Sequence, residues 1–381
     1  MTNSARTPRV SDMDVDWLIS DEGRAVIAAL RGVDPLRARE VVPDLSAQRV
    51  AEALTQAQHR PADFPLTLVT IDGIQQATPP AVAARRAQRL AESGVRTIVD
   101  AGCGIGVDSW AFAKAGLHVI AYEVDPVTAA VARANLPEVV DVRHGDATTA
   151  ELPADAALYV DPARRLQHRD AQGRPIRVHD PQRWSPPWSW VLGQAHDRPV
   201  VARIRPGHRD LPENIEWHCS SIGRSLVDAT AWFPPLAAVP RRASVFQNDG
   251  WHEVAGSPES AGIGEAGAYI VDPDPAIVRS GLVGNVAHLV GGRLLDPRLA
   301  FITCDDHPPQ WVGRSMRVVE QTSIKGIAAS CRRLGIDSAT LWARGFDTLP
   351  RTGVRHGQRA IVVAARIGDP RRSVAWVGHS A

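Results

Sequence analysis

The chain has 381 residues and a formal net charge of +1, with 44% apolar and 22% charged residues, which is the composition of a soluble globular protein of two or three domains. No apolar run reaches the roughly 18 residues of a membrane helix, and the N-terminus lacks the apolar core of a signal peptide, so we expect a cytoplasmic protein with no membrane partner. The four cysteines are scattered without the spacing of a zinc site, so we expect neither a metal nor a disulfide.

The first 74 residues are predicted to form a helical segment without chemistry of its own. Short helices are expected near residues 15–19, 22–30 and 47–58, and residues 66–71 could form a strand. Thr78 is predicted to cap a helix over residues 81–93, because a capping hydroxyl followed by proline in the first turn favours a helix start. This helix leads directly into the next strand, so its N-terminus could form the floor of a ligand pocket.

A glycine-rich loop follows the predicted strand 97–100. Its glycines are Gly102, Gly104 and Gly106, whereas a dinucleotide loop has the spacing G-x-G-x-x-G and needs its third glycine for close packing of helix on strand. Val107 occupies that third position here, which argues against NAD. The G-x-G-x-G spacing behind a strand with an acidic end resembles the loop of class I S-adenosylmethionine methyltransferases, in which glycines let the backbone approach the ligand.

Acidic residues stand at the ends of the predicted parallel strands. Glu123 lies 19 residues beyond Gly104, and an acid at about this distance accepts hydrogen bonds from ribose hydroxyls in sheets of this kind. Asp146 follows the third strand, where the methyltransferase pattern has an acid near the adenine amino group. Asp161 follows the fourth strand and begins the run D-P-A-R-R. Because parallel strands end at one edge of a sheet, these side chains are expected to face one crevice.

Further strands complete the predicted sheet. A fifth is expected over residues 199–204, and residues 226–232 and 243–247 are interpreted as a final antiparallel pair that brings the sheet to seven strands. The segment 166–179 is a polar insertion that is equally compatible with a solvated loop and a lid over the substrate. Ser185-Pro186-Pro187-Trp188 resembles the S-P-P-W motif of amine-methylating enzymes, but it follows no apolar strand, so we interpret it as a loop before a helix.

The C-terminal part is predicted to be a separate basic α+β module. A small-residue linker ends near residue 267, and predicted strands and helices then alternate to the end of the chain. Between residues 310 and 381 there are 12 lysines and arginines against four acids. A surplus of positive charge in one module indicates an anionic partner.

The runs Asp100–Ser109, D-P-A-R-R at 161–165 and D-P-D-P-A at 272–276 together resemble bacterial class I methyltransferases with a THUMP-like C-terminal domain. The glycine loop and the strand after it are also similar to trimethylguanosine synthase. The resemblance implies an α/β fold with a Rossmann-like, seven-stranded methyltransferase sheet over residues 75–256, a helical segment over 1–74 and a small α+β domain over 267–381. It also implies RNA as the partner of the basic module. The cofactor residues it implies are Asp100, Gly102, Gly104, Gly106, Glu123 and Asp146.

The resemblance further implies a catalytic face formed by Asp161, Arg164 and Arg165. Base-amine methyltransferases have a second proline and an aromatic ring after the fourth strand, and the ring stacks on a flipped base. Here Ala163 and Arg164 replace them, so the methylated atom is left open. We expect Asp161 to accept a hydrogen bond from the target amine or hydroxyl and the two arginines to hold a substrate phosphate. An internal salt bridge of these arginines with Asp161 or with Glu213 and Glu216 is equally compatible with the sequence.

Three functions are compatible with these patterns. The first is an RNA methyltransferase with a basic RNA-docking module. The second is a small-molecule methyltransferase in which the C-terminal module is a structural cap. The third is a non-catalytic RNA-binding protein on a methyltransferase fold. We favour the first, and the sequence leaves the target nucleotide and the oligomeric state open.

Overall fold

A computed structural model describes residues 13–163, 165–169, 175–178, 180–205, 211–248, 250–368 and 371–381. The chain divides into two compact units, one formed by Met1–Ile204 with Ala231–Leu236 and the other by Arg205–Thr230 with Ala237–Ala381. The domain boundaries predicted at residues 74, 75, 256 and 267 stay predictions. Across the described ranges, no helix has both the length and the apolar character needed to cross a bilayer.

The N-terminal segment is helical, and the three helices predicted there are confirmed. Side-chain oxygens of Asp14, Ser20, Ser46 and Thr70 accept hydrogen bonds from backbone N–H groups of the first turns, which explains where four of these helices begin. The helices are α1 (Val15–Ile19), α2 (Asp21–Ala29), α3 (Ala38–Val41), α4 (Ala47–His59) and α5 (Ile71–Gln76), with a 3₁₀ turn over Pro35–Arg37.

The strand predicted over residues 66–71 is wrong. The segment is extended, but side-chain amides rather than a neighbouring strand satisfy its backbone. Gln56 both donates to the carbonyl of Val69 and accepts from its N–H, each at 2.8 Å. Asn135 does the same for Leu68, at 3.0 and 2.7 Å. These four bonds replace a strand ladder, which periodicity alone could not reveal.

The central sheet of the first unit contains parallel strands in the order β7-β4-β1-β2-β3. The chain runs outward from β1 to β3 and then returns to the other side of β1 with β4, so a topological switch point lies between β1 and β4. Ligands of such sheets bind beyond the carboxyl ends of the strands at this point. The elements are α6 (Pro80–Glu92), β1 (Thr97–Ala101), α7 (Val107–Lys114), β2 (His118–Glu123), α8 (Pro126–Asn135), β3 (Asp141–His144), β4 (Ala157–Val160), β5 (Arg165–Arg169), β6 (Pro175–Arg177), α9 (Trp188–Asp197) and β7 (Val200–Arg203).

The four strands that follow β7 are paired differently from the prediction. The strands β8 (Glu216–Ile222), β9 (Ser225–Trp232), β10 (Arg241–Gln247) and β11 (Gly250–Gly256) lie in the order β11-β10-β8-β9. Therefore β9 and β10 are not the antiparallel neighbours that we expected, since β8 lies between them and pairs with β10 in parallel. The sequence of β8, E-W-H-C-S-S-I, does not predict a buried strand because four of its buried side chains are polar. The α/β class is confirmed, whereas the count of seven strands is not.

The C-terminal residues form a second sheet in the order β13-β14-β12-β15-β18-β17-β16. Its core includes Phe301, Met316 and Trp376. The helical stretch over residues 275–289 is divided in two, because Gly281 adopts a left-handed φ of +80° that ends the first part. The elements are β12 (Tyr269–Pro273), α10 (Pro275–Ser280), α11 (Val283–Leu289), β13 (Arg293–Leu294), β14 (Ile302–Cys304), β15 (Gly313–Thr322), α12 (Ile327–Arg333), β16 (Ser338–Arg344), β17 (Arg355–Ile367) and β18 (Arg372–Ser380), with 3₁₀ turns elsewhere.

Candidate functional site

The glycine loop leaves β1 with three glycines in the left-handed region. Gly102, Gly104 and Gly106 have φ values of +97°, +56° and +100°, which side chains other than glycine rarely adopt. A Cβ atom on Gly106 would lie 3.0 Å from Leu136, so that glycine allows close packing against the side chain of Leu136. A Cβ atom on Gly104 would meet no described atom within 4 Å. The loop therefore exposes its backbone to open space at Gly104, where a ligand can approach.

Glu123 joins the end of β2 to this loop. Its Oε2 accepts a hydrogen bond from the N–H of Gly104 at 3.0 Å, and its Oε1 accepts one from the N–H of Asp125 at 2.9 Å. Burial raises the pKa of the Glu123 carboxyl above its usual value, and the two backbone bonds oppose this shift. Each carboxylate oxygen has a second lone pair, so Glu123 can still accept hydrogen bonds from two hydroxyl groups of a ligand.

Asp100, at the end of β1, carries a buried oxygen without a partner. Its Oδ2 accepts a hydrogen bond from the hydroxyl of Ser109 at 2.6 Å, while no described residue donates to Oδ1. Burial, reinforced by the charge of Asp108, raises the pKa of Asp100 to about 8. Buried polar atoms are almost always hydrogen-bonded. An unpartnered carboxyl oxygen at the start of a glycine loop therefore fits a ligand that supplies a polar partner.

Asp161 follows β4 and lies beside the same loop. Its backbone oxygen is 4.0 Å from where a Cβ atom on Gly102 would be. Its Oδ2 accepts a hydrogen bond from Nη1 of Arg203 at 2.8 Å, and the same nitrogen donates to the carbonyl of Gln76 at 3.2 Å. The Asp161 side chain is 28% exposed, and no described residue donates to its Oδ1. Among the described residues, the carboxylate is thus held by one oxygen and has no donor at the other.

The side chains of the predicted arginine pair lie outside the described part of the structure. Arg164 lies outside the described residues, and only the backbone of Arg165 is described. Their predicted contact with a phosphate stays a prediction. Arg203 is the described ion partner of Asp161, and the sequence analysis missed it. Glu216, one of the alternative acids, is paired with Arg242 at 2.8 Å.

Asp146 is exposed just beyond β3. Its Oδ1 accepts hydrogen bonds from both the N–H and the hydroxyl of Thr148, each at 2.8 Å. This turn fixes the carboxylate near the strand edge that also bears Glu123. The predicted role of Asp146 beside an adenine ring stays a prediction.

The S-P-P-W segment lies beside the D-P-A-R-R run, which the sequence did not indicate. Ala163 and Ser185 exchange two backbone hydrogen bonds, at 2.7 and 3.2 Å. Trp188 begins α9, as predicted, and is 2% exposed, with its ring 6.2 Å from those of Trp184 and Phe233. This tryptophan belongs to the core and has no free face on which a base could stack.

A buried polar network fixes the helix that follows the glycine loop. Asp108 on α7 accepts hydrogen bonds from the hydroxyl of Thr78 at 2.6 Å and from the guanidinium of Arg86. Arg86 also donates to the hydroxyl of Tyr159 at 2.9 Å, and burial raises the pKa of that tyrosine well above its usual value. Thr78 therefore does not cap α6, which begins after Pro79 without a side-chain cap. The charged residues at buried positions of α6 and α7 were the available indication of this network.

Relatives of the chain agree with this geometry. An S-adenosylmethionine-dependent methyltransferase of Mycobacterium tuberculosis is 32% identical over 320 residues, which cover 79% of this chain and 85% of the relative, and its counterpart from a second strain matches equally well. The crystal structure of a proposed methyltransferase from Porphyromonas gingivalis W83 matches 94% of this chain and 98% of its own, with a TM-score of 0.70 and 16% identity, which shows a shared fold. No protein-family model matches the chain.

Proposed function

We propose that this chain, which belongs to the S-adenosylmethionine-dependent methyltransferases, transfers the methyl group to RNA. The transfer is a displacement in which the protein mainly aligns two reactants. S-adenosylmethionine supplies the methyl group on a positively charged sulfonium. The protein must therefore bind the cofactor at one part of the site and orient a nucleophile at another.

Cofactor binding is assigned to the glycine loop and the strand ends beside it. Glu123 is proposed to accept hydrogen bonds from ribose hydroxyls, because both its oxygens are oriented by backbone N–H groups and retain lone pairs. Asp100 offers an Oδ1 without a described partner, which suits a polar group of the cofactor. The backbone of Gly102, Gly104 and Gly106 is proposed to line the cofactor. Asp146 is proposed to contact the adenine amino group.

Orientation of the nucleophile is assigned to Asp161. Its open Oδ1 is proposed to accept a hydrogen bond from the target amine or hydroxyl, which directs a lone pair towards the methyl group. Arg203 fixes the other oxygen at 2.8 Å and so restricts the rotation of the carboxylate. Arg203 is therefore proposed to act by positioning Asp161. Arg164 and Arg165 are proposed to hold a phosphate of the substrate.

The choice of RNA is supported by the charge of the second unit. Of the 12 lysines and arginines between residues 310 and 381, 11 are exposed and Arg344 is half-buried. The sequence of this segment contains only four acids. An exposed surplus of this size suits the regular negative charge of a nucleic acid backbone.

Binding of single-stranded RNA should therefore depend strongly on salt. We expect the affinity of the full chain for a fluorescent RNA oligonucleotide, measured by anisotropy, to fall by about tenfold or more between 50 and 200 mM salt, because each neutralised phosphate releases counterions. Binding that is absent, or that is insensitive to salt, would favour the small-molecule methyltransferase. Failure to bind S-adenosylmethionine would favour the non-catalytic alternative.

A further inference from the structure

Three arginines of the second unit surround one buried aspartate. Asp272, at the end of β12, is 6% exposed. Its Oδ2 accepts hydrogen bonds from Arg314 at 2.9 Å and, more weakly, from Arg224 at 3.5 Å, and its Oδ1 accepts from Arg344 at 2.6 Å. These four residues are far apart in the sequence, and three different strands and a hairpin turn bring them together. We call them the Asp272 cluster.

The cluster has more donors than its own acceptors can use. Arg314 and Arg344 each direct Nε and Nη2 at Asp272, and their Nη1 groups have no hydrogen-bond partner among the described residues. Nη1 of Arg224 is buried and equally without a described partner. The indole N–H of Trp342 is a second buried donor without a described partner. All four unused atoms are donors, so the group that would satisfy them is an acceptor.

The charges of the cluster do not cancel. Three guanidinium groups contact the single carboxylate of Asp272, so positive charge is in excess even when the neighbouring Asp274 is counted. Asp274 is already occupied, because its Oδ1 accepts hydrogen bonds from the hydroxyl of Ser221 and from the N–H of Ala276. Burial lowers the pKa of Arg224, and the charge of Asp272 opposes this shift. A charge withdrawn from water is unfavourable unless it is paired, so this excess favours an anion as a further partner.

Aromatic rings and a strained turn hold the arginines in place. The guanidinium of Arg314 lies 4.3 Å from the ring centre of Trp342, and that of Arg344 lies 5.2 Å from the ring centre of Phe301. Arg224 has a left-handed φ of +65° in the turn between β8 and β9. Such a conformation is uncommon for residues other than glycine and is retained mainly where function or packing requires it. The three side chains are 33–44% exposed, so an anion can reach them from solvent.

We infer that the Asp272 cluster binds a phosphate group and, resting on the proposed function, that this phosphate belongs to the backbone of the RNA substrate. Arginine is the side chain best suited to phosphate, because its planar group donates two parallel hydrogen bonds. Asp272 aligns the three guanidinium groups and compensates only part of their charge. The D-P-D-P motif at residues 272–275 thereby acquires a function, since it places Asp272 at the end of β12 and Asp274 at the start of α10.

Inorganic phosphate tests the site without RNA. In the full chain labelled with ¹⁵N-tryptophan, we expect phosphate to shift one indole N–H resonance, the one that is missing in Trp342→Phe. Arg314→Gln and Arg344→Gln should each weaken this response at least about fivefold, corresponding to a charge-assisted hydrogen bond of about 1 kcal/mol or more. The melting temperature of each variant shows whether it is folded. If Arg314→Gln is not folded, Arg314→Lys, which retains the positive charge, is used in its place.

Arg317→Gln is the matched control. Arg317 lies three residues further along β15 and is exposed. Its substitution by glutamine makes the same change in net charge as Arg314→Gln. Because side chains alternate along a strand, it points to the other face from Arg314. Phosphate should shift the Trp342 resonance equally in Arg317→Gln and in the wild type. A wild type without any phosphate-dependent shift, or an equal loss in both variants, would overturn the inference.

Affinity for RNA identifies the source of the phosphate. Arg314→Gln should weaken binding of the RNA oligonucleotide at least about fivefold and reduce the slope of its salt dependence by about one, whereas Arg317→Gln should change the affinity less than about twofold. Equal effects of the two substitutions on RNA, combined with a phosphate response at Trp342, would overturn the RNA part and leave a site for free phosphate. Methyl transfer to RNA is measured separately, so a failure of this site and a failure of the proposed function give different results.

Discussion

Replacing Asp161 by alanine is expected to lower the rate of methyl transfer by about 100-fold or more, with little change in the affinity for S-adenosylmethionine. Losing one preorganised polar group that acts on the reacting atoms costs about this factor in other enzymes. Glu123, Asp100 and the glycine loop remain intact in the variant, so the cofactor should bind within about twofold of the wild-type affinity. Single-turnover transfer from labelled cofactor measures the rate, and calorimetry measures the affinity.

Two further variants show whether Asp161 itself is responsible. Asp155 is an exposed acid before β4, so Asp155→Ala makes the same change in charge away from the strand ends and should leave the rate unchanged. Arg203→Gln should lower the rate by less than Asp161→Ala, because the carboxylate is still present but is no longer fixed by the 2.8 Å ion pair. An equal fall in rate and cofactor affinity in Asp161→Ala would make Asp161 a cofactor ligand instead.

Replacing Glu123 by alanine is expected to weaken binding of S-adenosylmethionine by about 10- to 100-fold. Hydrogen bonds to a charged group contribute about 1.5–3 kcal/mol each, and the change also removes the acceptor that holds the N–H of Gly104. Once the cofactor is saturating, the transfer rate should recover to within a few-fold of the wild type. Calorimetric titration with the cofactor at several concentrations of protein measures this loss.

Acidic pH should also weaken the binding of S-adenosylmethionine. Because burial raises the pKa of Glu123, its carboxylate is protonated at a higher pH than an ordinary glutamate, and a protonated carboxyl is a poorer acceptor. The affinity for the cofactor should therefore fall as the pH decreases towards that raised pKa, and this dependence should disappear in Glu123→Ala. The exposed Glu138 provides the control, since Glu138→Ala should bind like the wild type. An unchanged affinity in Glu123→Ala would exclude it as a cofactor ligand.

The sequence was sufficient to locate the glycine loop and the acids around it. A G-x-G-x-G loop needs positive φ values that glycine alone adopts readily, and parallel strands bring their ends to one edge whatever the rest of the chain does. Glu123, Asp100 and Asp161 could be named for that reason. Glu123 accepts a hydrogen bond from Gly104, and Asp100 accepts one from Ser109. Such contacts follow from the strand-loop-helix geometry.

Long-range partners could not be predicted in this way. Arg203 is one of 41 arginines, and only the pairing of β4 with β7 brings it to Asp161. Similarly, β8 was missed because its buried polar side chains find partners on other strands, which a hydrophobic pattern does not register. The extended segment near Leu68 was mistaken for a strand because the amides that satisfy it belong to α4 and α8.

Transfer of labelled methyl from S-adenosylmethionine to total RNA tests the central claim most directly. The purified protein is offered RNA from a strain that lacks its gene and RNA from the parent strain. Our account predicts that label enters the RNA of the deletion strain and not that of the parent, in which the target position is already methylated. Absence of label from both RNAs, with cofactor binding confirmed by calorimetry, would contradict it.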